Sequence, residues 1–541
     1  MDQGQQVTVP IALLQRLAPL AEQMGIEADL PGITRIAPTI DVGMPIRTLA
    51  LELGQLLSRQ LLFVRGEDVV TVDAETGDVR RMSPMRFCGW IEEFCAIRSS
   101  GRSQRTRDSL TREDAAQILE QDIFRGCLRP LEAVHTMRLP VLRADGSTVL
   151  LEPGYDAESK IYTVELLKYE QDWTIDQAHE WLELHGQAYP WAWPEGADEA
   201  NQHLKENRSW AVQVFAMLGV FCKAMFKPRS LRPMITYIGN QPGTGKSTLV
   251  AMDLMPVFGH ASTTDTPKTD ENMAKTLETV ARTRQAYLFL DDVRYGLDSA
   301  PLNRFITSSS HSGRCMGGNS EMFLVDNVTQ VFATGNALKT TSDLMRRSLI
   351  VELFLAAEVQ GRKFDLVITP QYLAREEIRS KFLSALWALV RNYDDQVKEM
   401  GEMAEALRFH PQPLASFEDF SGLIGQMVIA GGLTDPLKAP EIAPNENEDD
   451  MRALLIRVAT EAEGPATFDR KALVEFAREF GLLESLVGTK EDGELDSKST
   501  KRWGRQLQAW RGRELVDGKG RRFRFAHKRQ KTGATYPLTF L

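Results

Sequence analysis

The decapeptide "GNQPGTGKST", Gly239 to Thr248, restricts what this 541-residue chain can fold into more than any other stretch. The apolar run "MITYI" precedes it and the helix-forming run "LVAMDLM" follows it. Glycines let a backbone wrap a phosphate with its N–H groups. A helix that starts immediately afterwards aims its positive end at the same charge. The pattern G-x-x-x-x-G-K-[ST] asks for glycine six residues before the lysine. Asn240 stands there instead, with Gly239 one residue earlier. The remainder fits: Pro242, Gly243, Thr244, Gly245, Lys246, Ser247 and Thr248. In such a loop Lys246 reaches the β- and γ-phosphates of ATP, and Ser247 holds Mg²⁺. Strand, glycine-rich loop and helix in this order predict an α/β domain.

A second stretch, "RQAYLFLDDVR", has a short buried-strand pattern, Tyr287 to Leu290, ending in Asp291-Asp292. Paired carboxylates at a strand end suit a hydrolytic site: Asp291 holds the metal and Asp292 polarises the attacking water. As a base, Asp292 has a shorter reach than a Glu at that position would have. Further on, Gln330–Ala333 reads as a strand ending in Thr334-Gly335-Asn336. A polar side chain at that tip could sit between the two acids. Arg346-Arg347 then precede a last strand pattern, "SLIVEL". This arginine pair is either a solvated surface feature or a reach toward a neighbouring subunit's nucleotide.

Helices alternating with short buried strands run from about residue 201 to 437, the rhythm of a parallel sheet. The rest divides around it. Residues 1–125 mix helical patterns with hairpin-like strands, an α+β region. Residues 126–200 read as a small β-rich and helical collar-like module, with Asp156 and Glu158 as turn residues and a Pro/Trp-rich break at "QAYPWAWPEGADEAN". Residues 438–450 read as an acidic, Pro-rich linker, and 451–541 as a separate domain. The longest apolar run, Val214–Cys222, fits a buried helix and is too short to cross a membrane. The N-terminus has no secretory pattern. Five cysteines without C-x-x-C spacing fit reduced cytoplasmic thiols.

Charge is unevenly divided. The chain carries -10 overall, yet Lys498–Lys531 holds thirteen basic residues against Glu514 and Asp517, a local +11. That leaves -21 on the remainder, and an asymmetry of this kind suggests a polyanionic partner. Within the basic tail, "STKRWGRQLQAWRGRE" reads as a helix, "RRFRF" as a half-buried strand and "HKRQKTG" as a wing tip. A winged helix would bring Lys501, Arg502, Arg505, Arg521, Arg522, Arg524, Lys528, Arg529 and Lys531 to duplex DNA. "GRCMGGNSEMFLV" reads as a hairpin with arms Cys315–Met316 and Met322–Val325 around Gly317-Gly318-Asn319.

In combination, the phosphate loop, "DTPKTDENMAKTL", "YLFLDDV", "SGRCMGGN", "FATGN" and "DLMRRSLIVEL" resemble the AAA+ helicase domain of phages, plasmids and integrated mobile elements. The resemblance lies near the superfamily 3 helicases and the poxvirus primase-helicase, and covers residues 201–437. It implies an AAA+ P-loop core and a hexameric ring that hydrolyses ATP between subunits and pulls single-stranded DNA through its pore. It implies Asn336 as sensor, and Arg347 ahead of Arg346 as arginine finger. It places Arg314, Gly318 and Asn319 on a pore hairpin, though the tip lacks the Lys or His such hairpins often carry. A primase or other replication protein is an expected partner, in the cytoplasm of a bacterial cell and with no membrane. Four readings stand: a replicative helicase, an origin-melting initiator without processive unwinding, a DNA-binding protein with a vestigial nucleotide site, and an ATPase of anti-phage defence or transposition.

Overall fold

The computed structural model describes residues 9–10, 35–36, 38–98, 109–193, 202–227, 229–293, 297, 299–314, 322–336, 342–355, 366–401, 408–438, 446–479, 514–517, 519–526, 528–530 and 533–541. At its centre is a five-stranded parallel sheet: β1 (Met234–Gly239), β2 (Thr264–Asp265), β3 (Tyr287–Asp291), β4 (Gln330–Asn336) and β5 (Ser348–Leu353). The spatial order is β2-β3-β4-β1-β5. The first strand in the chain is therefore flanked by the last two, in register from Ile235↔Phe332 to Gly239↔Asn336 and from Met234↔Ser348 to Gly239↔Leu353. Ligands of open parallel sheets bind outside the carboxyl ends of the strands, where the strand order reverses. Here that place is the end of β1, where the phosphate loop begins.

Strands β1, β3, β4 and β5 are largely buried because both faces are covered. Alternate residues face opposite ways. Ile235, Tyr237, Phe289, Phe332, Leu349 and Val351 join a core with the helices α1 (Arg208–Phe221), α2 (Lys246–Phe258), α4 (Glu376–Glu399) and α5 (Glu418–Ala430). Met234, Leu288, Leu290, Val331 and Ala333 pack on the other face against α3 (Asp270–Arg282) and the helix Ala300–Ile306. All fourteen residues of α1 are buried, which accounts for the long apolar run in the sequence.

The module at 126–200 does not stand apart from this body. It has the expected hairpins, Pro140–Leu142 with Thr148–Leu150 and Gly154–Asp156 with Ile161–Thr163. Arg143 forks onto both oxygens of Asp156 at 2.8 Å, and Asp156 also accepts from the Ser159 hydroxyl at 2.6 Å. Asp156 is thus a turn residue, as its sequence context implies, and it braces that turn. However, Met137, Leu139, Ala178, Leu182, Tyr189 and Trp191 belong to the same core as α1 and α2. The Pro/Trp-rich segment is no break where it is described. Trp191 bridges Leu353 on β5, the Ala192 N–H donates to Glu352 O at 3.0 Å, and the Phe354 N–H donates to Pro190 O at 2.8 Å. An edge strand leaves unpaired backbone groups, and these aromatics cover them while burying their own rings.

The N-terminal region has its own core around the helix Ile46–Leu57; one of its two hairpins follows the expected turn over Ala74–Asp78, and the other turns at Gly66. At the other end, a helix begins at Glu446, inside the stretch read as linker to Asp450. Its leading acids, Glu446, Glu448, Asp449 and Asp450, suit a helix N-terminus. Leu454, Leu455 and Val458 of that helix pack on Leu473, Phe523, Phe525, Tyr536 and Leu538. The basic helix expected over Ser499–Glu514 lies outside the described residues apart from its last residue, Glu514, which opens the strand Glu514–Val516.

Behind the loop, the Tyr237 hydroxyl on β1 donates to Asp253 on α2, and Gln213 Nε2 on α1 donates to the same carboxyl at 2.6 Å. Burial pushes the Asp253 pKa well above the usual carboxylate range, and these two donors only partly oppose it. Tyr237→Phe removes one partner from a buried polar group, and we expect a loss of about 1–3 kcal/mol in denaturant unfolding. Asp253→Asn, which keeps a neutral acceptor, should cost less than Asp253→Ala.

Candidate nucleotide site and DNA-facing elements

The loop's conformation follows from its glycines. Gly243 and Gly245 have φ of 80° and 98°, the left-handed region open to glycine. Gly239 is required by space: a Cβ there would lie 2.4 Å from Thr244 Oγ1 and 3.2 Å from Lys246 Nζ. Asn240, the departure from the glycine pattern, has a structural task. Its side chain exchanges two hydrogen bonds with the backbone of Leu355, donating from Nδ2 at 2.9 Å and accepting on Oδ1 at 3.0 Å. Gln241 Nε2 adds a third bond to Leu355 O at 2.9 Å. The loop's shoulder is therefore fastened to the chain leaving β5. On its other side the ring of Tyr189 lies where a Cβ on Gly245 would approach to 2.8 Å.

Lys246 opens α2 and is buried. Its ammonium donates to Asn336 Oδ1 at 2.6 Å and to Thr244 Oγ1 at 3.2 Å. Burial lowers its pKa, while Asp292 and Asp291 act in the opposite direction. The next residue, Ser247, donates its hydroxyl to Asp291 Oδ1 at 2.7 Å. The side chains read from the sequence as phosphate, metal and sensor residues thus converge at one end of the sheet.

One participant does not stand out in the sequence. Thr334, inside β4, donates to Asp291 Oδ1 at 2.6 Å and accepts from the Asp292 N–H at 3.0 Å. It is the strand-tip side chain that sits between the two acids, while Asn336 contacts Lys246 instead. Asp292 has φ of 48°, a strained value for a residue with a side chain. Its N–H is held by Asp291 Oδ1 and Thr334 Oγ1, and the Val293 N–H by Thr334 O at 2.8 Å. Thr334 lies within "FATGN"; only its register beside Asp291 shows its place.

The donor set suits a nucleotide with a divalent ion. The loop's backbone is shaped for phosphate, and a hydroxyl and a carboxylate are hard oxygen ligands of the kind Mg²⁺ takes. Among the described residues no group of three or more His, Cys, Asp or Glu forms a separate metal site, and no helix is long and apolar enough to cross a membrane.

The arginines divide. Arg347 is partly buried and donates from Nη1 to Asn303 O at 3.2 Å in its own chain; Arg346 is exposed. The hairpin pairs Ser310–Arg314 with Met322–Asp326, and the expected first arm, Cys315–Met316, lies outside the described residues. Glycine at 313 permits the close Phe323 ring opposite it, where a Cβ would meet the ring at 2.7 Å. Arg314 ends that arm, while Gly318 and Asn319 lie outside the described residues.

In the C-terminal domain, Lys501, Arg502, Arg505 and Lys531 also lie outside the described residues, and Lys528 and Arg529 are on the strand Lys528–Gln530. Arg522 and Arg524 are exposed between buried Phe523 and Phe525, the expected alternation. Arg521 departs from expectation. It donates from Nε to Asp517 at 2.7 Å and from Nη2 to Ala459 O and Ala462 O at 2.9 and 3.0 Å, and lies over the Phe540 ring. Its guanidinium ties the domain's first helix to its sheet and is not set out for DNA.

No protein-family profile matches the chain, and no curated protein matches it. Solved structures give looser likenesses. The apo A form of the NrS-1 C-terminal region aligns at 10% identity and a TM-score of 0.38, covering 91% of this chain and 99% of that one. The active helicase Cch of SCCmec type IV aligns at 10% identity and 0.33, covering 87% and 90%. JCV helicase with a bound substituted acetamide aligns at 13% identity and 0.22, covering 50% and 74%. All three superpose below the level at which a shared fold follows, so the site's own residues carry the functional reading.

The geometry separates two kinds of loop substitution. Gly239→Ala should abolish nucleotide binding in a fluorescence titration, because Thr244 and Lys246 must move. Asn240→Gly restores the common pattern but frees the shoulder from Leu355, and we expect weaker binding with the site retained.

Proposed function

We propose that the chain is an ATP-hydrolysing motor of the AAA+ kind that acts on DNA, with its nucleotide on the loop Asn240–Thr248. The observation that carries this reading is the convergence of Lys246, Ser247, Asp291, Asp292, Thr334 and Asn336 at the carboxyl end of one parallel sheet. A vestigial site would not need to keep a buried lysine on Asn336 and an Asp291 carboxylate that accepts from both Ser247 and Thr334.

In this reading Lys246 leaves Asn336 to bind the β- and γ-phosphates, with the loop N–H groups around them. Ser247 and Asp291 would hold Mg²⁺, which would supply charge neutralisation at the phosphate oxygens. Asp292 accepts the proton of the attacking water, oriented by the Thr334 bond to its backbone. Asn336, released by Lys246, can then contact the terminal phosphate. Exposed Arg346 is better placed than Arg347 to reach a neighbouring subunit's nucleotide in a ring. The Arg314 hairpin and the basic C-terminal domain supply contacts to DNA. A helicase of a phage or mobile element, working as a hexamer, is the form of this function we favour.

Strand displacement on forked DNA of arbitrary sequence tests it. ATP-dependent unwinding is expected from the intact chain and none from Lys246→Ala, whose hydrolysis should fall by at least about a hundredfold. Hydrolysis without unwinding would instead favour an initiator restricted to its own origin. Arg346→Ala should lose hydrolysis yet bind ATP, and mixing it with Lys246→Ala subunits should restore some turnover. For the C-terminal domain, Arg522→Gln or Arg524→Gln should each reduce the slope of log binding against log salt by about 0.9 for every phosphate the variant no longer neutralises. Arg521→Gln should lower the domain's thermal midpoint and leave that slope unchanged.

A further inference from the structure

A second concave site lies at the opposite end of the sheet from the phosphate loop. It is a cavity of about 590 Å³ where the N-terminal region, the 126–200 module and the ATPase body meet. Its wall includes the starts of β3 and β4, at Tyr287 and Gln330, and the end of α2 at Phe258. A five-residue strand separates it from the acidic pair, about 16 Å along the sheet. No motif in the sequence points to it, because its residues come from segments more than two hundred positions apart.

Its charge is unusual. Arg65, Lys223, Lys227, Arg232 and Arg284 line it, from three separate stretches of chain. Among the described residues none of these five forms an ion pair. Lys223 lies over the Phe258 ring at 4.7 Å, and Arg232 makes a single hydrogen bond, to Ser230 O at 3.3 Å. Arg65 Nε and His135 Nδ1 are buried without a hydrogen-bond partner. Three carboxylates share the wall, but Glu158 is engaged by Arg143 at 3.4 Å and Asp326 by Arg229 at 3.0 Å. Among the described residues of the wall, only Glu132 faces the cations without such a partner.

These cations disturb one another. Burial and then Arg284 lower the Arg65 pKa; burial and then Arg232 bring the Lys223 ammonium to about 8. Converging positive groups partly withdrawn from bulk water are costly unless an anion compensates them. Much of the remaining wall is apolar, with Val220, Met225, Phe226, Phe258 and Tyr287 beside the charges and His135, Ser159 and Gln330 among them. A few charged groups on an apolar wall in a cavity of this size is the make-up of a small-molecule site.

We propose that this cavity binds a phosphorylated small molecule of nucleotide size, its phosphates on Lys223, Arg65, Arg232 and Arg284 and its apolar part on Phe258 and Tyr287. The site is separate from the phosphate loop and touches three parts of the chain at once. Occupancy would therefore join the N-terminal region to the motor body.

The test uses the full chain carrying Lys246→Ala, so that the loop has lost its cation, with ADP, pyrophosphate and single-stranded oligo(dT) as probes in calorimetric titration. Saturable binding of ADP or pyrophosphate, weakened about tenfold by Lys223→Gln and largely kept by Lys223→Arg, is the expected result. Arg284→Gln, on the far wall, should weaken the same binding and serves if the Lys223 variant fails to fold. Absence of saturable binding by either probe at low salt would overturn the proposal. So would binding indifferent to both Lys223→Gln and Arg284→Gln. Displacement of the probes by oligo(dT) would also overturn it, assigning the cavity to a nucleic-acid strand.

Discussion

The ammonium of Lys246 is the charge around which the nucleotide face is arranged. It is buried, so it must be compensated, and it stands at the start of a helix whose own positive end adds to it. Asn336 supplies an oxygen at 2.6 Å, and two carboxylates lie near enough to oppose the effect of burial. Each of those groups sits at a strand end because β1, β3 and β4 are parallel and in register. If β4 slipped by one residue against β1, Asn336 and Thr334 would turn to the opposite face. The site is thus a consequence of sheet register, and the buried alternation of Ile235, Tyr237, Phe289 and Phe332 against Met234, Leu288 and Val331 is what fixes that register.

The loop's placement also depends on residues outside the ATPase region. Tyr189 packs at Gly245, and the Pro190–Ala192 backbone pairs with β5 while Asn240 and Gln241 bind the chain that leaves it. The chain after β5 is therefore clamped from two sides. A displacement of the 126–200 module would be felt at the phosphate loop through Tyr189 and Trp191. This gives that module a mechanical reason to share a core with the motor body and not merely to be tethered to it.

Much of this was legible in the sequence, for identifiable reasons. Phosphate chemistry needs glycines and lysine in adjacent positions, so the loop, the acidic strand and the apolar alternation could be read directly. Asp156 was readable as a turn residue, though its Arg143 brace was not. What could not be read depends on long-range contact. Asn240 looks like a defect until Leu355, more than a hundred residues away, is seen to complete it. Thr334 outranks Asn336 beside the acids because of where β4 stops, which no spacing reveals. Arg521 reads as one more cation in a basic tail, although a carboxylate, two carbonyls and a phenyl ring hold it. The Pro/Trp segment resembles a break because its partner strand lies over a hundred and fifty residues later.

Net charge shows the same limit. The tail's +11 suggests a polyanion, yet charge density alone does not say which guanidinium reaches solvent. Arg522 and Arg524 do, on alternate positions of a strand whose other face is phenylalanine; Arg521, one residue earlier, is consumed internally. The cavity cations invert the case. They sit in a chain that is acidic outside the tail, dispersed over three stretches, and only folding concentrates them. A locally basic segment can spend its charge on its own structure, and an acidic body can gather an unpaired basic site, because ionic function is decided by which groups desolvate together.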